Sequence, residues 1–82
     1  MKAKIKVMLK KSILDPQGKA VLHAIKDMKM GNVSDVRIGK YIEMQVDSSD
    51  LKSVKSDIEE ICNKLLSNPV MENYEIEFEE EN

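Results

Sequence analysis

The chain opens on an alternation. Ala3, Ile5, Val7 and Leu9 fall on one side, and Lys4, Lys6, Met8 and Lys10 on the other. That period of two marks a strand with one buried face. After Leu14 the period changes: Ala20, Val21, Ala24, Ile25 and Met28 share one face of a helix at 3.6 residues per turn. Asp15-Pro16 suits the start of that helix. The carboxylate can accept from free backbone N–H groups, and proline fits the first helical position. At the far end Lys29 favours the negative pole of the helix dipole, and Gly31 suits a left-handed exit.

Residues 33 to 46 read as two strands around Gly39. Val36 and Ile38 point one way in the first, and Ile42, Met44 and Val46 share a face in the second. A two-residue turn at Gly39-Lys40 would set Ile38 against Tyr41 and Arg37 against Ile42, mixing core with surface. A three-residue connection, Gly39 to Tyr41, pairs Ile38 with Ile42 and Val36 with Met44. This register is favoured, with a bulge near the glycine and Tyr41 at the hairpin tip. Ser48 or Ser49 then caps a second helix, with Asp50 in its first turn. Its stripe is Leu51, Val54, Ile58, Ile61, Cys62 and Leu65, and Asn68-Pro69 ends it. Residues 74 to 79 alternate again.

The expected order is β-α-β-β-α-β in a single domain spanning 1–82, with no linker or repeat. It predicts an α+β, ferredoxin-like fold: a four-stranded antiparallel sheet with both helices on one face. The last strand then lies antiparallel beside the first, so that Lys4 and Lys6 face Glu75, Glu77 and Glu79 on the open side.

A chain of 82 residues has a thin core, and folds of this size often gain stability by association. Its 41% hydrophobic and 34% charged residues fit an ordinary globular chain. No apolar run approaches the ~20 residues that span a bilayer, and the basic N-terminus lacks an apolar stretch behind it. A single cysteine excludes an internal disulfide. These features lead us to expect a cytoplasmic protein with no membrane role. A net charge of −2 argues against wholesale attachment to nucleic acid.

Candidate chemistry is sparse. Cys62 lies on the apolar stripe of the second helix, where a core role is expected over a ligand or nucleophile. His23 lies opposite the predicted buried face of the first helix, so a Cys–His pair within one subunit is not expected. There is no phosphate-binding loop or dinucleotide turn, and the central strands lack the aromatics that an RNA-recognition domain stacks on bases. The glutamate runs read as solvated surface. No catalytic, cofactor-binding or metal-binding residue is assigned. Arg37, Lys40 and Tyr41 at the predicted tip read either as a docking surface, since Arg and Tyr are enriched where proteins meet, or as a solvated hairpin.

Three stretches carry a resemblance: Leu-Asp-Pro-Gln-Gly at 14–18, Val-Arg-Ile-Gly-Lys-Tyr-Ile-Glu at 36–43, and Cys-Asn-Lys-Leu-Leu-Ser-Asn-Pro-Val at 62–70 with Glu72 and Tyr74 after it. In order and spacing they resemble the PurS family, the small subunit of phosphoribosylformylglycinamidine synthase, over nearly the whole chain. Asn63 and Met71 stand where an acidic and a branched aliphatic residue are expected. The resemblance implies a step of purine synthesis in which formylglycinamide ribonucleotide, ATP and glutamine become the amidine, ADP, phosphate and glutamate. It implies a glutaminase subunit that releases ammonia and a larger synthetase subunit that carries ATP and Mg. Between them stands a homodimer, or dimer of dimers, of the small subunit, which holds them together and supports ammonia transfer. Asp15 and Gln17 match a family motif; Asp15 is read first as a helix cap, and Gln17 joins Arg37, Lys40 and Tyr41 as a candidate partner contact. The rival reading is a dimeric ferredoxin-like regulatory module that binds a small molecule between subunits.

Overall fold

A computed structural model describes residues 1–48 and 50–80. It contains β1 (Lys2–Leu9), α1 (Pro16–Asp27), β2 (Gly39–Gln45), α2 (Leu51–Ile61) and β3 (Glu72–Glu79). The sheet has the order β2-β1-β3, with both outer strands antiparallel to β1. The predicted alternation therefore holds. Ala3, Ile5 and Val7 are fully buried, with Ile5 between Ile42 and Ile76 and Ala3 between Met44 and Phe78. Val54, Ile58 and Cys62 cover them from one side. Burying a Val or Ile side chain stabilises by roughly 1.5–3 kcal/mol, and Ile42, Met44, Ile61, Ile76 and Phe78 add partly buried area around this cluster.

On the open face, Lys4 stands between Glu43 and Glu77, and Lys6 lies opposite Glu75. Lys2 pairs with Glu43 at 3.2 Å, and Lys4 pairs with Glu79. The lysine row has the cross-strand partners expected of it.

Helix α2 runs into a π-helical turn, Cys62–Leu66. Ser67 closes the turn by donating from its N–H and its hydroxyl to the Cys62 carbonyl, at 3.0 and 2.8 Å. The wider turn shifts the phase of the apolar stripe. Leu65, predicted to face inward, is 78% exposed, and Leu66 is half-buried in its place. Asp50, not a serine, holds the N-cap position, and the Ser48 hydroxyl accepts from its N–H at 3.2 Å. Ser49 lies outside the described residues.

The expected fourth strand is absent among the described residues, and with it the hairpin. Residues 33–38 belong to no strand. Their donors turn elsewhere: the Ile38 N–H donates to Asp15, and the Val36 N–H to the Asp35 carboxylate. The chain does not reverse at Gly39, since no glycine takes a positive φ and the tight hairpin turns require one. Gly39 instead begins β2 opposite Met8, where an added Cβ would collide with the Met8 sulfur. The left-handed exit predicted at Gly31 is taken by Lys29, at φ 63°.

The second departure concerns α1. It does not cover the sheet, and none of its residues joins the core. Ala20, Val21, Ala24 and Met28 are exposed and Ile25 is half-buried, although all five were predicted to be inside. Only Gly18 is buried within the helix. The molecule is correspondingly long and flat, 49 × 32 × 14 Å. Its radius of gyration is 16.3 Å, against about 12 Å for a compact chain of this length. The accessible surface is 6291 Å², where a compact chain of this mass exposes about 5,000 Å².

Candidate functional site

The projecting arm, α1 with residues 33–38, is held at its root by two side chains. Asp15 caps α1 as predicted, accepting from the Gly18 N–H at 3.0 Å, and its second oxygen accepts from the Ile38 N–H at 2.9 Å. These two bonds, with the nearby Arg37 cation, hold the carboxyl below the usual carboxylate range despite burial. Gly18 has no room for a Cβ, which would meet the Val36 carbonyl and the Asp15 carboxylate. Start and end of the arm are thus packed against each other.

Arg37 is the second tie. Its guanidinium donates to the Leu9 carbonyl at 2.6 Å and the Lys10 carbonyl at 3.2 Å. Both acceptors lie where β1 ends, and a guanidinium can hold two carbonyls with its fixed fork. The same side chain borders a cleft of about 390 Å³ with Lys11, Ser12, Lys19 and Asp35, and one of about 360 Å³ with Lys6, Met8 and Asn73.

Lys40 and Tyr41 point to opposite faces of β2. Lys40, opposite Val7, lies on the helix-covered face; it donates to the Leu66 carbonyl at 3.2 Å and stands 3.9 Å from Glu72. Tyr41, opposite Lys6, is 53% exposed on the open face, and desolvation together with the nearby Glu43 raises its hydroxyl pKa. Gln17 is exposed in the first turn of α1 and shares a groove of about 280 Å³ with Lys40, Ile38, Gly39 and Glu72.

The four candidate contacts therefore do not form one tip. Gln17 and Lys40 share a groove, Arg37 ties the arm root, and Tyr41 stands on the far side of the sheet. The partners of Arg37 and Lys40 were not foreseen, because they are backbone carbonyls and a glutamate distant in sequence. The larger omission is the uncovered apolar face of α1. Its advance signals were the thin core of so short a chain and the homodimer that the resemblance implies.

The groups with nucleophilic or acid–base potential lie apart from this region. Cys62 is fully buried, and desolvation, with Glu59 nearby, raises its thiol pKa. His23 is exposed on α1, 3.5 Å from Asp27. Among the described residues no cluster of three or more His, Cys, Asp or Glu side chains could hold a metal ion. Among them, too, no helix is long and apolar enough to cross a membrane.

Comparison with known proteins settles the family. The model of PurS, phosphoribosylformylglycinamidine (FGAM) synthase, matches residues 2–80. The chain belongs to the PurS family. It is 49% identical over 79 residues to the PurS subunit of Bacillus subtilis, covering 96% of this chain and 93% of that protein. A crystal structure of B. subtilis PurS superposes with a TM-score of 0.87 at 49% identity, over 96% of this chain and 98% of that one. Methanocaldococcus jannaschii PurS, described as a subunit of formylglycinamide ribonucleotide amidotransferase in the purine biosynthetic pathway, reaches 0.88 at 36% identity over 99% and 98% of the two chains. A chain in the structure of PurLQS from Thermotoga maritima reaches 0.85 at 29% identity over 93% of each. As a PurS subunit of FGAM synthase, the chain serves a ligase of purine biosynthesis. The likeness to B. subtilis PurS spans nearly the whole chain, so the projecting arm falls within it.

Proposed function

We propose that this PurS subunit acts as an adaptor. It binds a second copy of itself, or forms a dimer of dimers, and holds a glutaminase subunit and an ATP-dependent synthetase subunit in fixed register in the cytoplasm. ATP and Mg sit on the synthetase subunit. Ammonia released at one active site then reaches the other before it is protonated and lost, an effect of effective concentration and not of catalysis by this chain.

The observation that carries this reading is the uncovered face of α1. Val21, 40% exposed, stands on a helix that contributes nothing to the core, and Met28, 63% exposed, is that helix's C-cap. A surface about 1,300 Å² larger than a compact chain needs is what an assembling subunit presents. The T. maritima PurLQS structure, with its similar chain, supports placing this subunit in such a complex. Tyr41 and Gln17 are exposed enough to meet the larger subunits, whereas Arg37 and Lys40 act there mainly by holding the arm root and β2 in shape.

The test is reconstitution of the synthase with and without this chain. Omission should abolish most glutamine-dependent turnover and leave turnover with added ammonia largely intact. Equal loss of both would place its action in the synthetase site instead.

A further inference from the structure

We infer that the arm root holds a two-part site for a nucleoside phosphate. The phosphate lies among Lys11, Lys19 and Arg37, and the base lies against Met8 and Asn73. The site goes beyond the adaptor role and does not depend on it.

Two clefts adjoin at the root. One, of about 390 Å³, is lined by Ser12, Lys19 and Asp35 among others, and the second, of about 360 Å³, by Lys6, Met8, Leu9 and Asn73. Lys11 and Arg37 line both, so these two cations form the boundary between them. Each cleft alone falls within the roughly 300–1,000 Å³ of small-molecule sites.

Arg37 is fixed in place before any ligand arrives. It is half-buried, and its bonds to the Leu9 and Lys10 carbonyls both leave from Nη2. A guanidinium has five N–H donors, so the three on Nε and Nη1 remain for a ligand. A cation already ordered by the fold loses little freedom on binding.

Charge sets this cluster apart from the other lysines. Lys2, Lys4, Lys40 and Lys64 each pair with a glutamate, and Lys6 lies opposite Glu75. Lys11 and Lys19 are exposed and pair with no carboxylate among the described residues. The acids beside them are engaged: Asp15 accepts from the Gly18 and Ile38 N–H groups, and Asp35 from the Val36 N–H. Three cations against two carboxylates leave the first cleft positive, in a chain whose net charge is −2. One guanidinium beside two flexible ammonium groups suits a phosphate, and the Ser12 hydroxyl adds a donor.

The second cleft suits a ring. Met8 is the one apolar side chain that β1 presents on its open face, after Lys2, Lys4 and Lys6. A methionine sulfur and a guanidinium plane both pack well on aromatic rings. The Asn73 amide offers a donor and an acceptor to a base edge. Apolar floor and cationic boundary together fit a base at one end and a phosphate at the other.

The experiment titrates the full chain with AMP, adenosine and inorganic phosphate, by calorimetry and by amide NMR. AMP should bind once per chain and at least about tenfold more tightly than either fragment, shifting the amides of Lys11, Ser12 and Asn73. Lys11→Glu with Lys19→Glu removes no ion pair of the fold. It should keep the circular dichroism spectrum and weaken AMP at least about tenfold, the effect of one lost charge-assisted hydrogen bond. Asn73→Ala should weaken AMP and adenosine and leave inorganic phosphate unchanged. Inorganic phosphate binding as tightly as AMP overturns the two-part site. So does AMP binding that the lysine variant leaves unchanged, or amide shifts confined to other residues. An absence of saturation at millimolar AMP overturns the site altogether, and none of these outcomes bears on the adaptor role.

Discussion

The Asp15 carboxylate accepts from the Ile38 N–H at 2.9 Å, across 23 residues of chain. A helix cap thereby becomes a long-range tie. One oxygen starts α1, and the other fixes where the arm meets β2.

Replacing Asp15 separates the two roles. Asp15→Asn keeps a good N-cap, because the amide oxygen can still accept from Gly18, but its other end is a donor and cannot accept from Ile38. Amide exchange should quicken at Ile38 and stay slow at Gly18. Asp15→Ala removes both acceptors and should lower the melting temperature by about 4–8 °C. Equal protection at Ile38 in both variants and the unmodified chain would show that the tie contributes nothing.

The same carboxylate sets an acid limit. Its folded pKa lies below the ordinary value of 3.8. Its contribution is therefore complete above that value and is lost as pH falls through the folded pKa. Denaturation of the unmodified chain and of Asp15→Asn should show a constant gap from neutrality to about pH 5 that closes below about pH 4. Glu79, lowered mainly by its hydrogen bond from Lys4, titrates in the same acid range in both proteins and cancels. A gap that widens in acid would contradict the assignment.

Cys62 should behave as a core side chain. Its thiol is fully buried and its pKa is raised by desolvation, so the thiolate is scarce and shielded. Reaction with a disulfide reagent at neutral pH should be at least about tenfold slower in the native chain than in denaturant. Comparable rates would place the thiol at the surface.

Much of the sheet was legible because its pairing partners are in the same chain. The alternation of Ala3, Ile5 and Val7 and that of Tyr74, Ile76 and Phe78 each specify one buried face, and Lys4 against Glu77 specifies the register. Asp15 as a cap and Cys62 as core were legible for the same local reason. Val36, Ile38 and the α1 stripe were expected to be buried faces of this chain's own sheet. Periodicity, however, records only that a face is apolar, not whether its own sheet covers it. The structure instead leaves them outside that sheet. The roles of Arg37 and Lys40 were hidden differently. Backbone carbonyls accept from any suitable donor, so composition carries no trace of the Arg37 bonds to Leu9 and Lys10 or the Lys40 bond to Leu66.

The adaptor role requires that α1 be an interface. The most direct measurement is sedimentation equilibrium of the unmodified chain beside Val21→Glu with Met28→Glu, two exposed positions whose replacement leaves the core untouched. The unmodified chain should sediment as a dimer or larger even-numbered assembly. The variant should dissociate at concentrations at least about tenfold higher with an unchanged far-ultraviolet circular dichroism spectrum. A chain that stays monomeric throughout, or a variant that associates as tightly as the original, would contradict it.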